Sequence, residues 1–427
     1  MDLTRVNLGI NGGIPVRTKP WLDNLTMGQD EMDAVEKVLV SGYLSLFEGS
    51  HTPDHPFSFW GGPFVQRFEE QWAEYYKMPY AVSMNSATSC LYAAIGALGI
   101  GYGDEIIVSP YTMSACATGA LVYGAIPVFA DVEEDTGCLN PVSIEERITP
   151  RTKAILLVHQ FGIPAEMKKI MKLAKKYNLK IIEDCAQAHG AMVGDKYVGT
   201  FGDIGVFSLN VNKTIQTGEG GICVTNNEEL RYRLALIRNH GEVVVEEAGV
   251  EDITNIIGFN YRLTELQAAI GIEQLKKLEY LNQKRIEYAS MLAKEIEKYD
   301  CLKPLYDNRA GIRATYYLFS TRYLKEVGKT SREEFVAAIN AEGIKFFQGY
   351  TRPLYLQPVY QKKHAFKHGY PFSAPENADS KPNYKKGNCP VSERLHFKEM
   401  MINEHVRPPN TKADVKDIVK AIEKVLK

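Results

Sequence analysis

No two of the seven cysteines stand in a Cys-x-x-Cys pair. Cys90, Cys116, Cys138, Cys185, Cys223, Cys301 and Cys389 are scattered and odd in number, so neither a disulfide framework nor a zinc site is indicated, and no metal is expected. Reduced thiols in a cytosolic protein fit that pattern. Long hydrophobic runs are missing too: none approaches the ~20 residues of a membrane span. The opening residues Met1-Asp2-Leu3-Thr4-Arg5 carry an early acid and no apolar stretch, unlike a signal peptide. The chain is therefore expected to be cytoplasmic, with no membrane partner. Charge of one sign is absent as well. Fifty Lys and Arg face 52 Asp and Glu, a formal net charge of −2, which gives no field favouring nucleic acid. The glycine signatures G-x-G-x-x-G and G-x-x-x-x-G-K-[ST] do not occur, so dinucleotide and nucleoside triphosphate readings lose support. There is no internal repeat and no low-complexity tract. Tryptophan is scarce, 3 against 24 tyrosines, and the tyrosine excess suits clefts and interfaces.

What is present is an ordinary globular composition, 45% hydrophobic and 24% charged, in a chain of 427 residues, long enough for two lobes. Between about 78 and 225, short apolar runs alternate with helical patterns. Strands are predicted at 80–83, 105–108, 127–130, 154–158, 180–183, 206–208 and 221–224, with helices at 86–98, 115–123 and 167–177. Such alternation predicts an α/β fold with a mostly parallel sheet covered on both faces. Ligands on such sheets bind beyond the carboxyl ends of the strands, where Asn85, Tyr111, His159 and Asp184 fall. A helix over 264–298 is expected to lead into a smaller C-terminal αβ lobe, and the last helix to begin at a Thr411 cap. The division expected is an arm (1–30), a large lobe (31–285) and a small lobe (286–427). Two stretches, 47–62 and 372–388, resist regular assignment and are read as functional or mobile loops.

Four segments could carry chemistry. Lys213 follows a strand ending at Ser208 and precedes Gly218-Glu219-Gly220-Gly221, a turn that needs backbone freedom. A lone lysine is usually a solvated charge. As a nucleophile it must be neutral, which requires its pKa to fall from about 10.4. Asp184, in Ile182-Glu183-Asp184-Cys185-Ala186-Gln187-Ala188-His189-Gly190, ends an apolar strand and needs a partner there. A metal, a salt bridge, a pyridinium and a helix N-cap are all open to it. Gln187, three residues on, could donate to a phenolic oxygen. Met84-Asn85-Ser86-Ala87-Thr88-Ser89 joins a strand to a helix: a phosphate site, or simply a capped helix start. Gly258-Phe259-Asn260-Tyr261-Arg262 enters a helix with Thr264 and Gln267 spaced as a capping box.

Taken together and in order, these segments resemble the DegT–StrS family of pyridoxal phosphate (PLP)-dependent sugar aminotransferases, of the aspartate-aminotransferase fold type I. Asn11-Gly12-Gly13-Ile14-Pro15-Val16, Leu98-Gly99-Ile100-Gly101-Tyr102-Gly103-Asp104-Glu105, Pro110-Tyr111-Thr112, Val158-His159-Gln160-Phe161-Gly162 and Cys389-Pro390-Val391-Ser392-Glu393-Arg394-Leu395 extend the likeness along the chain. The resemblance implies a mostly parallel seven-stranded sheet in the large lobe and PLP as cofactor. It makes Lys213 the catalytic amine that forms a Schiff base with the cofactor and moves the proton, and Asp184 the partner of the pyridine nitrogen. Gln187 then lies near the phenolic oxygen, and the Ala87 and Thr88 backbone with the Ser208 hydroxyl hold the phosphate. Asn260 reaches the phosphate of the neighbouring subunit in a homodimer. Where relatives often place an aromatic residue against the ring, this chain has Met113, whose thioether can still pack on a π-face. One branch of the family carries histidine in place of the lysine and dehydrates its substrate; the intact Lys213 favours amino transfer.

The implied reaction passes an amino group from L-glutamate or L-glutamine to a keto sugar, chiefly a nucleotide-linked one for glycan or lipopolysaccharide synthesis. A keto-cyclitol (inosose-type) acceptor, a PLP-dependent sugar dehydration and a PLP-binding protein without turnover are the alternatives. Loops 43–60, 240–257 and 350–360 are expected to recognise the acceptor, with His51, His55, Trp60, His159, Tyr350 and Arg352 as candidates.

Overall fold

The computed structural model describes residues 1–49, 56–306 and 308–427. The first strands alternate with helices because each apolar run is short and ends in a turn residue. They are β1 (Tyr80–Met84), β2 (Glu105–Val108), β3 (Ile126–Phe129), β4 (Thr152–Val158) and β5 (Lys180–Asp184). Two short strands, β6 (Met192–Val193) and β7 (Lys196–Tyr197), precede β8 (Ile204–Ser208) and β9 (Gly221–Thr225). Seven of these form one sheet in the order β1-β9-β8-β5-β4-β2-β3. Only β9 runs antiparallel to its neighbours, so the carboxyl ends of the other six lie along one edge. The alternation seen in the sequence thus builds the expected sheet, and the short β8–β9 return adds the single reversed strand.

The helices of this lobe are α1 (Gln29–Ser41), α2 (Pro63–Tyr76), α3 (Ala87–Ala97), α4 (Ala115–Val122), α5 (Pro141–Arg147), α6 (Met167–Tyr177), α7 (Glu228–Arg238) and α8 (Glu265–Ile296). Period-two alternation sorts the strand residues between two faces. Ala154, Leu156 and Val158 of β4 join the apolar core under α3, α4 and α7, whereas Ile155 and Leu157 pack with Ile170 and Ala174 of α6. Towards the β1 edge the second face is covered by α2 and α8, through Phe68, Trp72, Ile272 and Leu278. Burial on both faces explains why these strands read as continuous apolar runs.

Helix α8 has 32 residues and starts at the expected capping box of Thr264 and Gln267. Its first part packs in the large lobe as far as Leu281; from Tyr288 it packs in the small-lobe core. That lobe holds a four-stranded sheet in the order β10-β12-β14-β13 (Leu302–Pro304, Phe319–Tyr323, Met400–Asn403, Phe347–Gln348), while β11 (Ile312–Arg313) pairs back to β6. The last helix, Lys412–Leu426, begins at Thr411 with a capping box to Asp414. The N-terminal residues lie on the small lobe, where Arg17 bonds Asp414 and Asp417, and Glu342 accepts the Gly9 and Val16 amides.

The 372–388 stretch stays irregular apart from a 3-10 turn at Pro375–Asn377, but it is pinned to the large lobe. Asn377 donates to the Gly124 carbonyl, and the Tyr384 hydroxyl to that of Pro127. No described helix is long and apolar enough to cross a membrane.

Candidate active site

Met84 and Ser208 both stand opposite Gly221, so β9 begins between the carboxyl ends of β1 and β8. That register brings three sequence segments to one edge. The first is the β1–α3 turn. The Ser86 side chain caps α3 by accepting from the Ser89 amide at 3.0 Å, and the Cys90 amide bonds the Ser86 carbonyl. The Ala87 and Thr88 amides occupy the first two helical positions and have no intrahelical acceptor. The turn is a capped helix start, and it leaves two donors at the positive end of the helix dipole. Gly221 allows the approach, since a Cβ there would lie 2.5 Å from the Ala87 nitrogen. Ser208, 4% exposed, completes this corner.

The second segment is the end of β5. Asp184 lies next to Val158 of β4 and Val206 of β8 and is 5% exposed. No helix follows it, so it is not an N-cap; its Oδ1 accepts from the Ala186 amide two residues on, at 2.9 Å. Its Oδ2 accepts from the Cys116 thiol at 3.1 Å. Two lone pairs remain for a further donor. Gln187 accepts from the Phe161 amide at 2.8 Å and donates to the Tyr350 hydroxyl at 3.0 Å, joining the large lobe to the 350–356 segment.

The third segment carries Lys213. Its ammonium lies 4.4 Å from the centre of the Tyr317 ring, and among the described residues no carboxylate pairs with it. Asn24 of the N-terminal arm holds its carbonyl at 2.8 Å. His189 is buried alongside and bonds the Ser208 carbonyl; burial, and then the Lys213 charge, push its pKa down to about 3, so the ring is neutral. Its Nε2 has no partner among the described residues. Arg285 of α8, equally buried, donates to the Tyr316 and Tyr317 carbonyls.

The other expected residues divide. Met113 is 56% exposed at the start of α4, free to cover a ring. Asn260 is exposed beside the β1–α3 turn: Asn85 donates to its carbonyl at 3.4 Å, and its side chain accepts from Arg262 at 2.8 Å. Tyr350 lies edge-on to Tyr111 and Phe161, with its hydroxyl on Gln187. Arg352 is exposed, and its charge acts on His396.

His159 is not a cleft residue. It is fully buried, its Nδ1 accepts from the Ala165 amide, and its Nε2 therefore carries the proton donated to Glu183 at 3.1 Å. Glu183 also accepts from the Gly199, Phe201 and Gly202 amides. His159, Glu183 and Cys185 are close enough together to suit an ion, but the first two are committed to these bonds, and the group pins β4 to β5. Trp60 is also displaced from the cleft: it packs on Tyr232 and Arg231 near Tyr80, at the amino end of β1. His51 and His55 lie outside the described residues.

Sequence reasoning missed Cys116, Tyr317, Arg285 and Asn24. Cys116 had a signal, standing in the first turn of α4 close after Thr112 and Met113. The others arrive from distant segments and had none.

Residues 57–374 match the DegT/DnrJ/EryC1/StrS aminotransferase family. Among curated relatives, the chain is 37% identical to the GDP-perosamine synthase of Escherichia coli O157:H7 over 303 residues, covering 70% of this chain and 81% of that one. It is 30% identical to the L-glutamine:2-deoxy-scyllo-inosose aminotransferase of Streptoalloteichus tenebrarius, over 99% of this chain and 98% of that one. The crystal structure of an aminotransferase from Psychrobacter cryohalolentis superposes with a TM-score of 0.79 at 32% identity, covering 95% of this chain and 98% of that one. The α/β architecture with its mostly parallel seven-stranded sheet is thus that of the fold type I aminotransferases, and the chain belongs to the DegT/DnrJ/EryC1/StrS aminotransferase family.

Proposed function

We propose that the chain is a PLP-dependent sugar aminotransferase passing an amino group from L-glutamine or L-glutamate to a keto sugar, chiefly a nucleotide-linked one. One observation carries the reading: Asp184 at the end of β5, Ser208 at the end of β8 and the free amides of α3 beside Gly221 lie along one sheet edge, and Lys213 follows β8 in the chain.

The residues fit the cofactor. The Ala87 and Thr88 amides and the Ser208 hydroxyl would hold its phosphate, with Asn260 supplied by a second copy of the chain in a homodimer. Asp184 would hold the pyridine nitrogen, Gln187 has one amide hydrogen left for the phenolic oxygen, and Met113 would pack on the ring. When bound, PLP supplies an aldehyde that captures amines and a pyridinium that draws electrons from the carbon losing its proton. Asp184 would keep that nitrogen protonated by offering a buried carboxylate. Lys213 Nζ would take the proton from the donor's α-carbon and hold it for return, and with the keto acceptor the same amine would supply the proton in reverse. The Tyr317 ring and the Asn24 contact restrict where that amine can go.

The GDP-perosamine synthase likeness, the higher in identity, supports the nucleotide-linked acceptor. A keto-cyclitol acceptor is the second reading, favoured by the end-to-end match to the inosose aminotransferase, whose name also supports glutamine as donor.

The test is spectroscopic. Protein loaded with PLP is expected to absorb above ~400 nm, and glutamine or glutamate to bleach the band. A nucleotide-linked keto sugar should then restore it. Lys213→Ala should lose turnover with both partners. Equal turnover by wild type and Lys213→Ala would reject the assignment, and restoration by a keto cyclitol alone would move the acceptor to the second reading.

A further inference from the structure

Cys116 stands in the first turn of α4 and is fully buried. Its Sγ lies 3.1 Å from Asp184 Oδ2 and 3.9 Å from Thr112 Oγ1. A carboxylate can only accept, so the thiol donates. Burial, and then the Asp184 charge, push the thiol's pKa far above its ordinary range, so the proton stays on sulfur. The second oxygen of Asp184 takes the Ala186 amide. The carboxylate is thus held at two points, from two elements: α4 fixes Oδ2 and the turn after β5 fixes Oδ1. One donor on each oxygen sets the plane of the group and leaves one lone pair per oxygen directed elsewhere. Without the thiol proton, the one hydrogen bond left to restrain rotation about the Cβ–Cγ bond, among the described residues, would be that from the Ala186 amide.

We infer that Cys116 is a positioning residue whose thiol proton holds Asp184 in the plane from which it bonds a pyridine N–H. This rests on the proposed role of Asp184 as partner of the cofactor's ring nitrogen. An aspartate rotated out of that plane would stabilise the pyridinium less, so the ring would lose its proton at lower pH and the cofactor would bind more weakly.

The experiment uses the holoenzyme carrying PLP labelled with 15N in the ring. The 15N chemical shift, followed against pH, reports protonation of that nitrogen directly, and the cofactor dissociation constant is measured alongside. Cys116→Ala is expected to lower the pH at which the nitrogen loses its proton and to weaken PLP binding about tenfold. Cys116→Val, which fills the space without a donor, should do the same and serves if the alanine variant does not fold. Cys116→Ser, which keeps a donor, should restore most of both properties. Wild-type titration in the alanine or valine variant would overturn the inference, whatever happens to the melting temperature. So would a serine variant indistinguishable from alanine, because side-chain shape would then be the cause. Asp184→Asn separates the two levels. If it titrates like wild type, Asp184 is not the partner and the functional reading falls too. If it shifts while every Cys116 variant stays put, only the inference on Cys116 falls.

Discussion

Gly221 shows how one missing methyl group places a site. Its backbone is not in the left-handed region, unlike Gly218 with φ +80°. A Cβ at Gly221 would meet the Ala87 nitrogen at 2.5 Å and the Ser86 carbonyl oxygen at 2.6 Å, both backbone atoms that cannot swing aside. Gly221→Ala is therefore expected to push the start of α3 away from Ser208 and to weaken PLP binding about tenfold or more. Gly218→Ala, with nothing within 4 Å, should cost backbone strain but spare the phosphate corner. Equal cofactor dissociation constants for wild type and Gly221→Ala, from fluorescence titration, would show that the approach is not needed. The sequence marked this glycine turn correctly but for only half of the reason: backbone freedom is visible in a sequence, and close approach is not. Asp184, Gln187 and Lys213 stand at or just beyond strand ends, which is what draws attention to them in the sequence. His159 follows one as well, and it turned inward because the neighbouring strand offers Glu183.

Among the elements, α3 couples folding to the site most directly. Ser86 satisfies the Ser89 amide, so Ser86→Ala leaves three rather than two open donors at the helix start. The expected loss is about 1 kcal/mol of stability. It should be larger in the cofactor-free protein, because a bound phosphate can take up the orphaned amide. Thermal melts of both forms, with and without PLP, check this; an equal drop in the two would place the cap outside the phosphate site. Element positions were largely legible: α6 falls at the expected 167–177, and the capping box of α8 is where its spacing placed it. Period-two and period-3.6 patterns are local, so a sequence displays them. The pairing of β9 with β1 and the pinning of 372–388 by Asn377 and Tyr384 depend on partners more than a hundred residues away, and no local pattern carries them.

For the whole molecule, two buried histidines, one in each lobe, tie stability to pH. His189 sits under the site in the large lobe, and burial followed by the Lys213 charge lowers its pKa to about 3. His405 of the small lobe packs at a tilt against Trp21, with ring centres 4.9 Å apart, and burial followed by the Arg407 charge lowers its pKa to about 4. Each has a ring nitrogen without a partner among the described residues, so neither gains a contact from them by taking a proton there. In the unfolded chain both titrate near 6.5. Above that pH neither state binds an extra proton, and the full contribution to stability is present. As pH falls below about 6.5 the unfolded chain takes up protons that the folded chain refuses, so stability declines until the folded values are reached. The melting temperature of the PLP-free protein is therefore expected to be level down to about pH 6.5 and to fall steadily between there and about 4. His405→Gln should flatten part of that slope, and His189→Gln another part. A melting temperature that stays constant through this window in wild type, or slopes that neither substitution changes, would show that the two rings do not set the acid limit. Because α8 carries the apolar cores of both lobes, protonation in either one should loosen the helix they share, and the two histidines should act on one unfolding transition rather than two.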